Sequence, residues 1–353
     1  MSIPKTQVAY GYVPGKKTIQ CFPNHPVQTP GDNQVLLKIE AAGMCHSDHN
    51  ILLSGPLAGG KGEPKMVMGH EIAGQIVQVG KNLEKSDIYE IGGRFAVTIA
   101  KACGECEMCR GGVDNACGNS VMAYGLNCDG GFQQYLLIDN LRTLLPIPEG
   151  MSYEDAAVST DAVLTPFHAI QKVRDLLHPT TKVLVQGLGG LGLNAVQILK
   201  SYNCNIVACD IKEESRELAK GLGAAETYAN IGDSSHSIES FDLCFDFVGI
   251  DITFKNSQSY VKNHGKIVMV GLGRYKLSTL NFELARRDVE IIFNFGGTSL
   301  EQIECMKWIS LGRIKPVAQV VDMEQLPNYM EKLANNAIKG RMVFRPNFRK
   351  SNL

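Results

Sequence analysis

Four cysteines lie close together in the segment CGECEMCRGGVDNAC. Their C-x2-C-x2-C-x7-C spacing lets four thiolates meet without help from any distant part of the chain, and they are Cys103, Cys106, Cys109 and Cys117. Four sulfur ligands with no position left for water are typical of a closed, tetrahedral structural zinc site. An iron–sulfur cluster and a redox thiol switch are the alternatives. The segment predicts a lobe that contributes stability and no catalysis.

Two further segments hold residues that suit a catalytic metal. AAGMCHSDHN places Cys45 at the end of a strand-like run, with Ser47 and Asp48 suited to begin a helix. MGHEIAGQIVQVG contains the adjacent residues His70 and Glu71. A lone cysteine is more often an inert core residue, and a lone histidine is more often structural. These residues therefore point to a metal only in combination with the other features of the chain.

A glycine pattern follows a predicted strand and opens a predicted helix. It is G-x-G-x-x-G, formed by Gly187, Gly189 and Gly192. Such glycines make a tight turn and let the backbone approach a pyrophosphate at the helix N-terminus. Asp210 ends the next strand-like run about twenty residues on, where a carboxylate accepts hydrogen bonds from the adenosine ribose. Asp210 would repel a 2′-phosphate, which favours NAD(H) over NADP(H). The positive charges of Lys212 and Arg216 nearby oppose this preference, and Lys212 is itself a predicted cofactor contact.

The period of the apolar residues divides the chain. The first part is β-rich, with strand-like runs at 35–39 and 72–79 broken by Gly and Pro. From about residue 182, strand-like KVLVQG, NIVACD, FDLCFDFVG, GKIVMVG and VEIIFNFGG alternate with helix-like or loop segments. This alternation predicts an α/β fold with a doubly wound parallel sheet and right-handed crossovers. The last stretch, with EQLPNYMEKLANNAI and RMVFRP, fits either domain.

Bulk composition narrows the function classes. A length of 353 residues predicts two domains. A net charge of −1 gives no electrostatic reason to expect nucleic acid or an anionic membrane as partner. Neither a signal peptide nor an apolar run of membrane-spanning length is evident, and eleven cysteines favour reduced thiols and metal binding over disulfides. We expect a cytoplasmic protein that does not associate with membranes.

These features together carry a family resemblance that covers essentially the whole chain. GHE-x2-G-x5-G from Gly69 to Gly80, the CHSD run, the four cysteines and GLGGLG follow one another in order and spacing. The sequence resembles the medium-chain, zinc-dependent alcohol dehydrogenases. It is most similar to their fungal carbonyl reductase and secondary alcohol dehydrogenase branch, through STDAVLTPFHAI, DGGFQQYLL and KGRMVF.

The resemblance implies a domain plan. A GroES-like, β-rich catalytic domain is expected over 1–160, with the structural zinc lobe at about 101–118. A Rossmann domain, a doubly wound parallel sheet that binds NAD, is expected over 161–300. The C-terminal segment 301–353 is expected to return toward the catalytic domain.

The resemblance also implies a catalytic zinc, so that two zinc ions are expected per chain. Its ligands would be Cys45, His70 and Asp161, with Glu71 as a ligand that enters when substrate or water leaves. Primary-alcohol enzymes of the family commonly carry a second cysteine where this chain has Asp161, and an aspartate there matches the secondary-alcohol branch. Three protein ligands and one exchangeable position are what a catalytic zinc requires.

Other residues take their roles from the same resemblance. Asp48 would orient His70, Thr165 would lie against the nicotinamide, and His46 and Arg341 would contact the pyrophosphate.

Ser47 would hydrogen-bond the substrate oxygen and start the proton exit. Relatives usually place a histidine five residues after the first cysteine ligand, whereas this chain has Asn50. His49 would point about 100° away on a helix, which predicts a Ser47–ribose–water route. Tyr124 is a candidate wall of the substrate pocket, or else a loop aromatic that covers apolar surface.

The predicted function is hydride transfer between NAD(H) and secondary alcohols or ketones. A polyol or diol dehydrogenase of the same family is the nearest alternative. A zinc-free quinone reductase or an NAD(P)-binding non-enzyme would lack the two metal-binding sets, and a zinc-dependent interaction module would leave the glycine motif unexplained. Strand-like VEIIFNF resembles the edge at which relatives pair, so a homodimer is expected, with a tetramer as the alternative.

Overall fold

The computed structural model describes residues 3–56, 65–120, 123–274 and 276–347. It divides into two compact units. Unit 1 comprises Met1–Asp161, Thr298–Ser310 and Ala318–Leu353, and unit 2 comprises Ala162–Gly297 and Leu311–Val317. The predicted boundaries at 160 and 300 lie within three residues of these. The C-terminal segment differs from the prediction in one place, because Leu311–Val317 packs with unit 2.

The elements follow in chain order. The first set is β1 (Thr6–Tyr12), β2 (Gln20–Pro26), β3 (Val35–Met44), α1 (His46–Ser54), β4 (Met66–Val67), β5 (Glu71–Val79), β6 (Arg94–Val97), α2 (Glu107–Arg110), β7 (Tyr135–Ile138), β8 (Leu144–Pro146) and α3 (Tyr153–Val158). The second set is α4 (Leu164–Gln171), β9 (Lys182–Gln186), α5 (Gly192–Lys200), β10 (Asn205–Cys209), α6 (Glu213–Leu222), β11 (Glu226–Tyr228), β12 (Phe241–Asp246), α7 (Asp251–Tyr260), β13 (Val261–Met269), α8 (Asn281–Arg286) and β14 (Glu290–Phe293). The last set is α9 (Ser299–Ser310), β15 (Ala318–Asp322), α10 (Leu326–Ala334) and β16 (Arg341–Arg345).

Unit 1 is built on a seven-stranded sheet in the order β15-β16-β3-β5-β6-β8, with β7 paired to β3. The central strand β3 runs antiparallel to both β5 and β16. A smaller sheet, β2-β1-β4, is part of the same unit. Side chains of β1, β3, β5 and β16 share one apolar core, in which Leu37, Ile72, Phe132 and Phe344 are almost fully buried. The C-terminal strand β16 thus pairs directly with β3 from the N-terminal part of the chain.

Unit 2 is built on a six-stranded sheet in the order β11-β10-β9-β12-β13-β14, and all its pairs are parallel. Numbered from β9, this order is 3-2-1-4-5-6, that of the doubly wound dinucleotide fold. The strand order reverses between β9 and β12, which places a ligand crevice at the carboxyl ends of those strands. Strand β9 is buried over Val183–Gln186, as a strand covered on both faces must be.

The predicted fold class is confirmed: a β-rich unit accompanies a doubly wound parallel sheet. Each strand-like run from KVLVQG to VEIIFNFGG forms a strand of unit 2. The short strand β11 was not predicted, because its three residues carry no apolar pattern and are only half-buried. Among the described residues, no helix is long and apolar enough to cross a membrane.

Candidate active site

One buried cluster in unit 1 unites the residues proposed to bind the catalytic metal. Pairing of β3 with β5 sets Gly43 opposite Glu71, so Cys45 and His70 lie at adjacent strand ends. Asp161 lies in a π-helical turn, Ser159–Val163, that follows α3. One ligand atom from each of Cys45, His70, Glu71 and Asp161 lies within 4.8 Å of all the others. The structure therefore brings together side chains up to 116 residues apart.

His70 is oriented from both sides of its ring. Its Nδ1 lies 3.3 Å from Asp48 Oδ1, and its Nε2 lies 3.7 Å from Asp161 Oδ2. Asp48 is itself fixed, because its Oδ2 accepts a 2.8 Å hydrogen bond from the Cys45 amide at the start of α1. The Asp48 carboxylate thus ties the cysteine backbone to the histidine ring, as a residue that orients a metal ligand does.

Arg341 provides the positive charge of the cluster. Its Nη2 lies 3.1 Å from Glu71 Oε1 and 3.3 Å from Asp161 Oδ2, and its Nη1 donates to the Met44 carbonyl at 3.1 Å. Burial raises the pKa of Glu71 well above its ordinary value, with the Arg341 charge opposing that shift. Burial, the largest influence, acts in the same direction on the Cys45 thiol, but Arg341 and His70 together outweigh it and lower the Cys45 pKa.

Arg341, predicted to contact the pyrophosphate, lies beside these two carboxylates. The pyrophosphate contact stays a prediction. The side chain is only 5% exposed and is held by carboxylates of its own unit. Two buried carboxylates without a counter-charge would be strongly destabilising, which explains why the guanidinium lies there.

The donor set fits a zinc ion. Sulfur, imidazole nitrogen and carboxylate oxygen are the ligands that zinc prefers. Glu71 Oε2 is buried and accepts no hydrogen bond from any described residue, which leaves one oxygen of the cluster available to a cation. His70 and Cys45 are 2% and 7% exposed, so a metal here would be largely withdrawn from solvent.

The neighbours of the cluster on α1 differ in exposure. Ser47 is half-buried, and its Oγ lies 3.7 Å from Cys45 Sγ. His46 and Asn50 are exposed, whereas His49 is half-buried and burial lowers its pKa. Ser47 is therefore the hydroxyl beside the cluster.

Tyr124 lies in the interior of unit 1. Its side chain is 1% exposed, its hydroxyl donates to Asp139 Oδ1 at 2.9 Å, and the Lys101 ammonium lies 4.3 Å from its ring centroid. This packing favours the second interpretation of Tyr124, an aromatic that covers apolar surface, over a pocket wall.

The four-cysteine lobe has the dimensions of a tetrahedral metal site. Sulfur–sulfur distances are 3.9 Å for Cys103–Cys109, 3.8 Å for Cys106–Cys117 and 3.6 Å for Cys103–Cys117. Zn–S bonds of about 2.3 Å give tetrahedral edges of about 3.8 Å. Backbone N–H groups of Glu105 and Cys106 lower the pKa of Cys103 to about 6, which favours the thiolate. A multi-iron cluster would separate the sulfurs further, so these distances favour a single ion.

The glycines of the turn between β9 and α5 differ in the space around them. Gly187 has φ +89°, which favours glycine, and a Cβ on Gly192 would lie 1.8 Å from the Gly187 carbonyl oxygen. A Cβ on Gly189 would meet no protein atom within 4 Å. Gly192 is thus required by packing, whereas Gly189 leaves open space that a pyrophosphate can approach.

Asp210 lies directly after β10, beside the glycine turn. Its Oδ2 accepts from the Leu188 amide at 2.7 Å and its Oδ1 from the Lys212 amide at 2.9 Å. These bonds fix the carboxylate where ribose hydroxyls would reach its remaining lone pairs. Thr165, on α4 of the same unit, is 6% exposed, and its carbonyl accepts from Asn294 Nδ2 at 3.2 Å.

Sequence reasoning missed one residue of the cluster. A Cβ on Gly43 would lie 1.9 Å from Glu71 Oε2, so only glycine leaves room for that carboxylate. The signal was present in AAGMCH, where a glycine interrupts an apolar strand next to the cysteine.

Known protein families match both units. The alcohol dehydrogenase GroES-like domain matches residues 31–149, and the zinc-binding dehydrogenase family matches residues 190–310. An NAD-dependent alcohol dehydrogenase of Sulfurisphaera tokodaii is 30% identical over 91% of this chain and 95% of its own length. An alcohol dehydrogenase of Geobacillus stearothermophilus is 28% identical over 89% of this chain and 92% of that protein.

A solved structure is similar along nearly its whole length. The acetophenone reductase of Geotrichum candidum, in complex with NAD, is 36% identical, with a TM-score of 0.89 over 98% of each chain. The chain belongs to the medium-chain, zinc-dependent alcohol dehydrogenase family, and it is an NAD-dependent oxidoreductase of that family.

Proposed function

We propose that this chain is a zinc-dependent, NAD(H)-linked dehydrogenase that interconverts secondary alcohols and ketones. The observation that carries the proposal is the buried cluster of Cys45, His70, Glu71 and Asp161. Its third ligand is a carboxylate, as the resemblance to secondary alcohol dehydrogenases requires. The acetophenone reductase of Geotrichum candidum, whose name specifies a ketone, supports the substrate class.

Two zinc ions per chain are proposed. Cys45, His70 and Asp161 would hold the catalytic ion, and the cysteines of the lobe would hold the structural one. When bound, the catalytic zinc would supply Lewis-acid polarisation of the substrate oxygen. The Arg341 guanidinium balances the carboxylates of the cluster and keeps Glu71 beside it.

The chain's own groups then orient the reactants. Ser47 is half-buried next to Cys45. Its hydroxyl would hydrogen-bond the alcohol oxygen and would be the first group to accept the proton of the alcohol. Asn50 cannot pass a proton on by titrating, so proton exit from Ser47 would depend on the bound cofactor and water and not on a side chain at this position. Asp48 keeps the His70 ring fixed throughout.

The glycine turn and Asp210 support NAD(H) as the cofactor. The turn offers backbone amides at the N-terminus of α5, where the pyrophosphate would bind. The Asp210 carboxylate, fixed by the Leu188 amide, would accept hydrogen bonds from the ribose hydroxyls and would repel a 2′-phosphate. The hydride would move between C4 of the nicotinamide and the substrate carbon.

Absorbance assays test the proposal. NADH and NADPH oxidation would be followed with 2-butanone, acetophenone and acetaldehyde, and NAD⁺ reduction with 2,3-butanediol, before and after prolonged zinc chelation. We expect NADH-dependent ketone reduction that chelation abolishes and added zinc restores. Turnover of the diol alone would move the assignment to polyols, and chelator-resistant NADPH activity would overturn the catalytic zinc.

A homodimer is also proposed. Strand β14 ends the sheet of unit 2 and pairs only with β13 among the described strands. It carries Phe293, whose side chain is 73% exposed. An exposed apolar edge strand of this kind is stabilised when a second copy covers it.

A further inference from the structure

A second carboxylate lies at the predicted ligand crevice of unit 2. Asp246 ends β12, directly opposite Gln186 at the end of β9, and its side chain is fully buried. These neighbouring strands flank the point where the strand order reverses, which is where doubly wound sheets bind their ligands. A buried carboxylate is costly unless hydrogen bonds satisfy it. The groups that donate hydrogen bonds to Asp246 therefore show which part of the chain it holds in place.

The Asp246 carboxylate holds the turn that follows β12. Its Oδ1 accepts from the Val248 amide at 2.9 Å and from the Gly249 amide at 2.8 Å. Its main-chain carbonyl accepts from the amides of Val270 and Gly271, both at 2.9 Å. Asp246 therefore joins the turn after β12 to the turn after β13.

The turn after β12 packs tightly on the glycine turn at Gly187. A Cβ on Gly187 would lie 2.5 Å from Val248 Cγ2, and one on Gly271 would lie 2.2 Å from the Val248 carbonyl carbon. Gly249 has φ +70°, and a Cβ there would lie 2.1 Å from the Gly271 carbonyl oxygen. There is no free space between Val248 and Gly187 or between Val248 and Gly271. A displacement of Val248 would therefore displace Gly187 as well.

We propose that Asp246 is a positioning residue for dinucleotide binding, because it fixes the Val248–Gly249 turn as the wall that supports the phosphate-binding turn at Gly187. It touches no cofactor atom in this role and acts through Val248. The inference rests on the proposed binding of NAD(H) at the glycine turn.

Truncation of Asp246 in the zinc-loaded full-length enzyme tests this role. Asp246→Ala leaves two amides without an acceptor, and Asp246→Ser retains an acceptor too short to reach both. We expect the Kd of NADH to rise roughly tenfold or more in Asp246→Ala, and less in Asp246→Ser, which carries the test if the alanine variant does not fold. Asp246→Asn keeps an acceptor oxygen and should remain within about threefold of wild type.

Two readouts separate positioning from general stability. ADP-ribose lacks the nicotinamide, so its Kd should rise in parallel with that of NADH, and kcat at saturating NADH should change little. The matched control is Asp242→Ala, at the opposite end of the same strand, where Asp242 Oδ2 accepts from the Lys182 amide at 2.8 Å. That variant should lower the melting temperature without changing either Kd.

The outcomes are distinct. Weakened binding of both ligands in the Asp246 variants alone supports the inference. Equal effects from Asp246→Ala and Asp242→Ala, or unchanged ADP-ribose binding, overturn it while leaving the dehydrogenase assignment intact. Absence of NADH binding by the wild-type enzyme would instead overturn the proposed function on which the inference rests.

Discussion

At the scale of single residues, charge balance governs the metal cluster. The cluster gathers the Cys45 thiol and the carboxylates of Glu71 and Asp161, against which Arg341 is the cation in direct contact. An isolated set of this kind would be unstable without further positive charge. A divalent cation would supply that charge, so we expect metal binding and the stability of unit 1 to be coupled at this site.

Replacing Asp161 tests whether it is the third ligand of a bound zinc ion. Asp161→Asn keeps the shape but removes a negative oxygen, so we expect kcat/KM for ketone reduction to fall about 100-fold or more. The zinc content, measured by atomic emission, should fall from two ions per chain to one. Asp155→Asn, on the first turn of α3, is the control and should retain both ions. Two ions bound to an inactive Asp161→Asn would show that Asp161 acts in some way other than ligation.

Asn50 offers a test of the proton route. It is exposed and cannot titrate, so wild-type alcohol oxidation lacks a histidine relay at this position. Asn50→His adds an imidazole with an ordinary pKa of about 6.5, which is neutral and able to accept a proton above that pH. We expect the kcat/KM of alcohol oxidation to rise above about pH 6.5 in the variant relative to wild type. His49→Gln, one residue away, should leave the profile unchanged, and an unchanged profile in Asn50→His would exclude a role for this position.

At the scale of elements, turns and strand ends position the chemistry. The turn from β9 into α5 holds the glycines, the junction of β3 and α1 holds Cys45, and a π-helical turn holds Asp161. Single π-helical turns occur often at functional sites, because the extra residue re-aims one side chain out of register with the helix.

Two glycines of one turn separate packing from cofactor binding. Gly192→Ala would force a methyl group to within 1.8 Å of the Gly187 carbonyl oxygen, so it should lower the melting temperature even without NADH. Gly189→Ala meets no protein atom within 4 Å and should leave the melting temperature of the apoprotein unchanged while weakening NADH binding about tenfold or more. Differential scanning fluorimetry with and without NADH measures both effects.

The control for this pair is Gly221→Ala, because a Cβ on Gly221 would also meet no protein atom within 4 Å, but Gly221 lies on α6. Gly221→Ala should change the melting temperature only slightly and should leave the NADH affinity unchanged. Unaltered NADH binding in Gly189→Ala would show that the pyrophosphate does not bind at this turn.

Local patterns were predictable from the sequence, and long-range partners were not. The four cysteines lie in one short segment, and Asp210 follows the glycine turn after only α5 and β10, so spacing predicts both sets. Arg341 reaches the Met44 carbonyl across 297 residues, and only the pairing of β16 with β3 determines which groups surround it. The partner of the Tyr124 hydroxyl is likewise set by the fold, because Asp139 directly follows β7.

At the scale of the whole molecule, we expect the four-cysteine lobe to contribute stability. Among its links to the rest of unit 1, Asn140 Nδ2 donates to the Ala102 carbonyl at 3.0 Å, and the Ser299 amide of α9 donates to Asp114 Oδ1 at 3.0 Å. Loss of the metal would release thiolates that lie within 4.8 Å of one another and repel. The lobe thus secures a loop that would otherwise have little core of its own, since its buried apolar cluster comprises Ala102 and cysteines.

Cys106→Ser tests the lobe. We expect one zinc ion per chain instead of two and a melting temperature lower by roughly 5–10 °C, with kcat at low temperature largely retained. Cys204→Ser, outside both metal sets, should leave the zinc content and melting temperature near wild type. Complete loss of activity in a folded Cys106→Ser variant would contradict a purely stabilising role for the lobe.

Assembly follows from the edge of unit 2. Strand β14 presents Phe293 at 73% exposure, and the backbone groups on its free side have no strand partner among the described residues. Pairing of β14 with the same strand of a second copy would satisfy both, and Phe293→Lys should oppose it by placing like charges across the two-fold axis. Light scattering should then report the mass of one chain, 38.5 kDa, where the wild type gives twice that. Phe282→Lys is the matched control, since Phe282 lies on α8 with 76% exposure and should leave the dimer intact. A monomeric wild type, or a dimer unaffected by Phe293→Lys, would place the assembly surface elsewhere, because a charged edge strand cannot pair with its own copy.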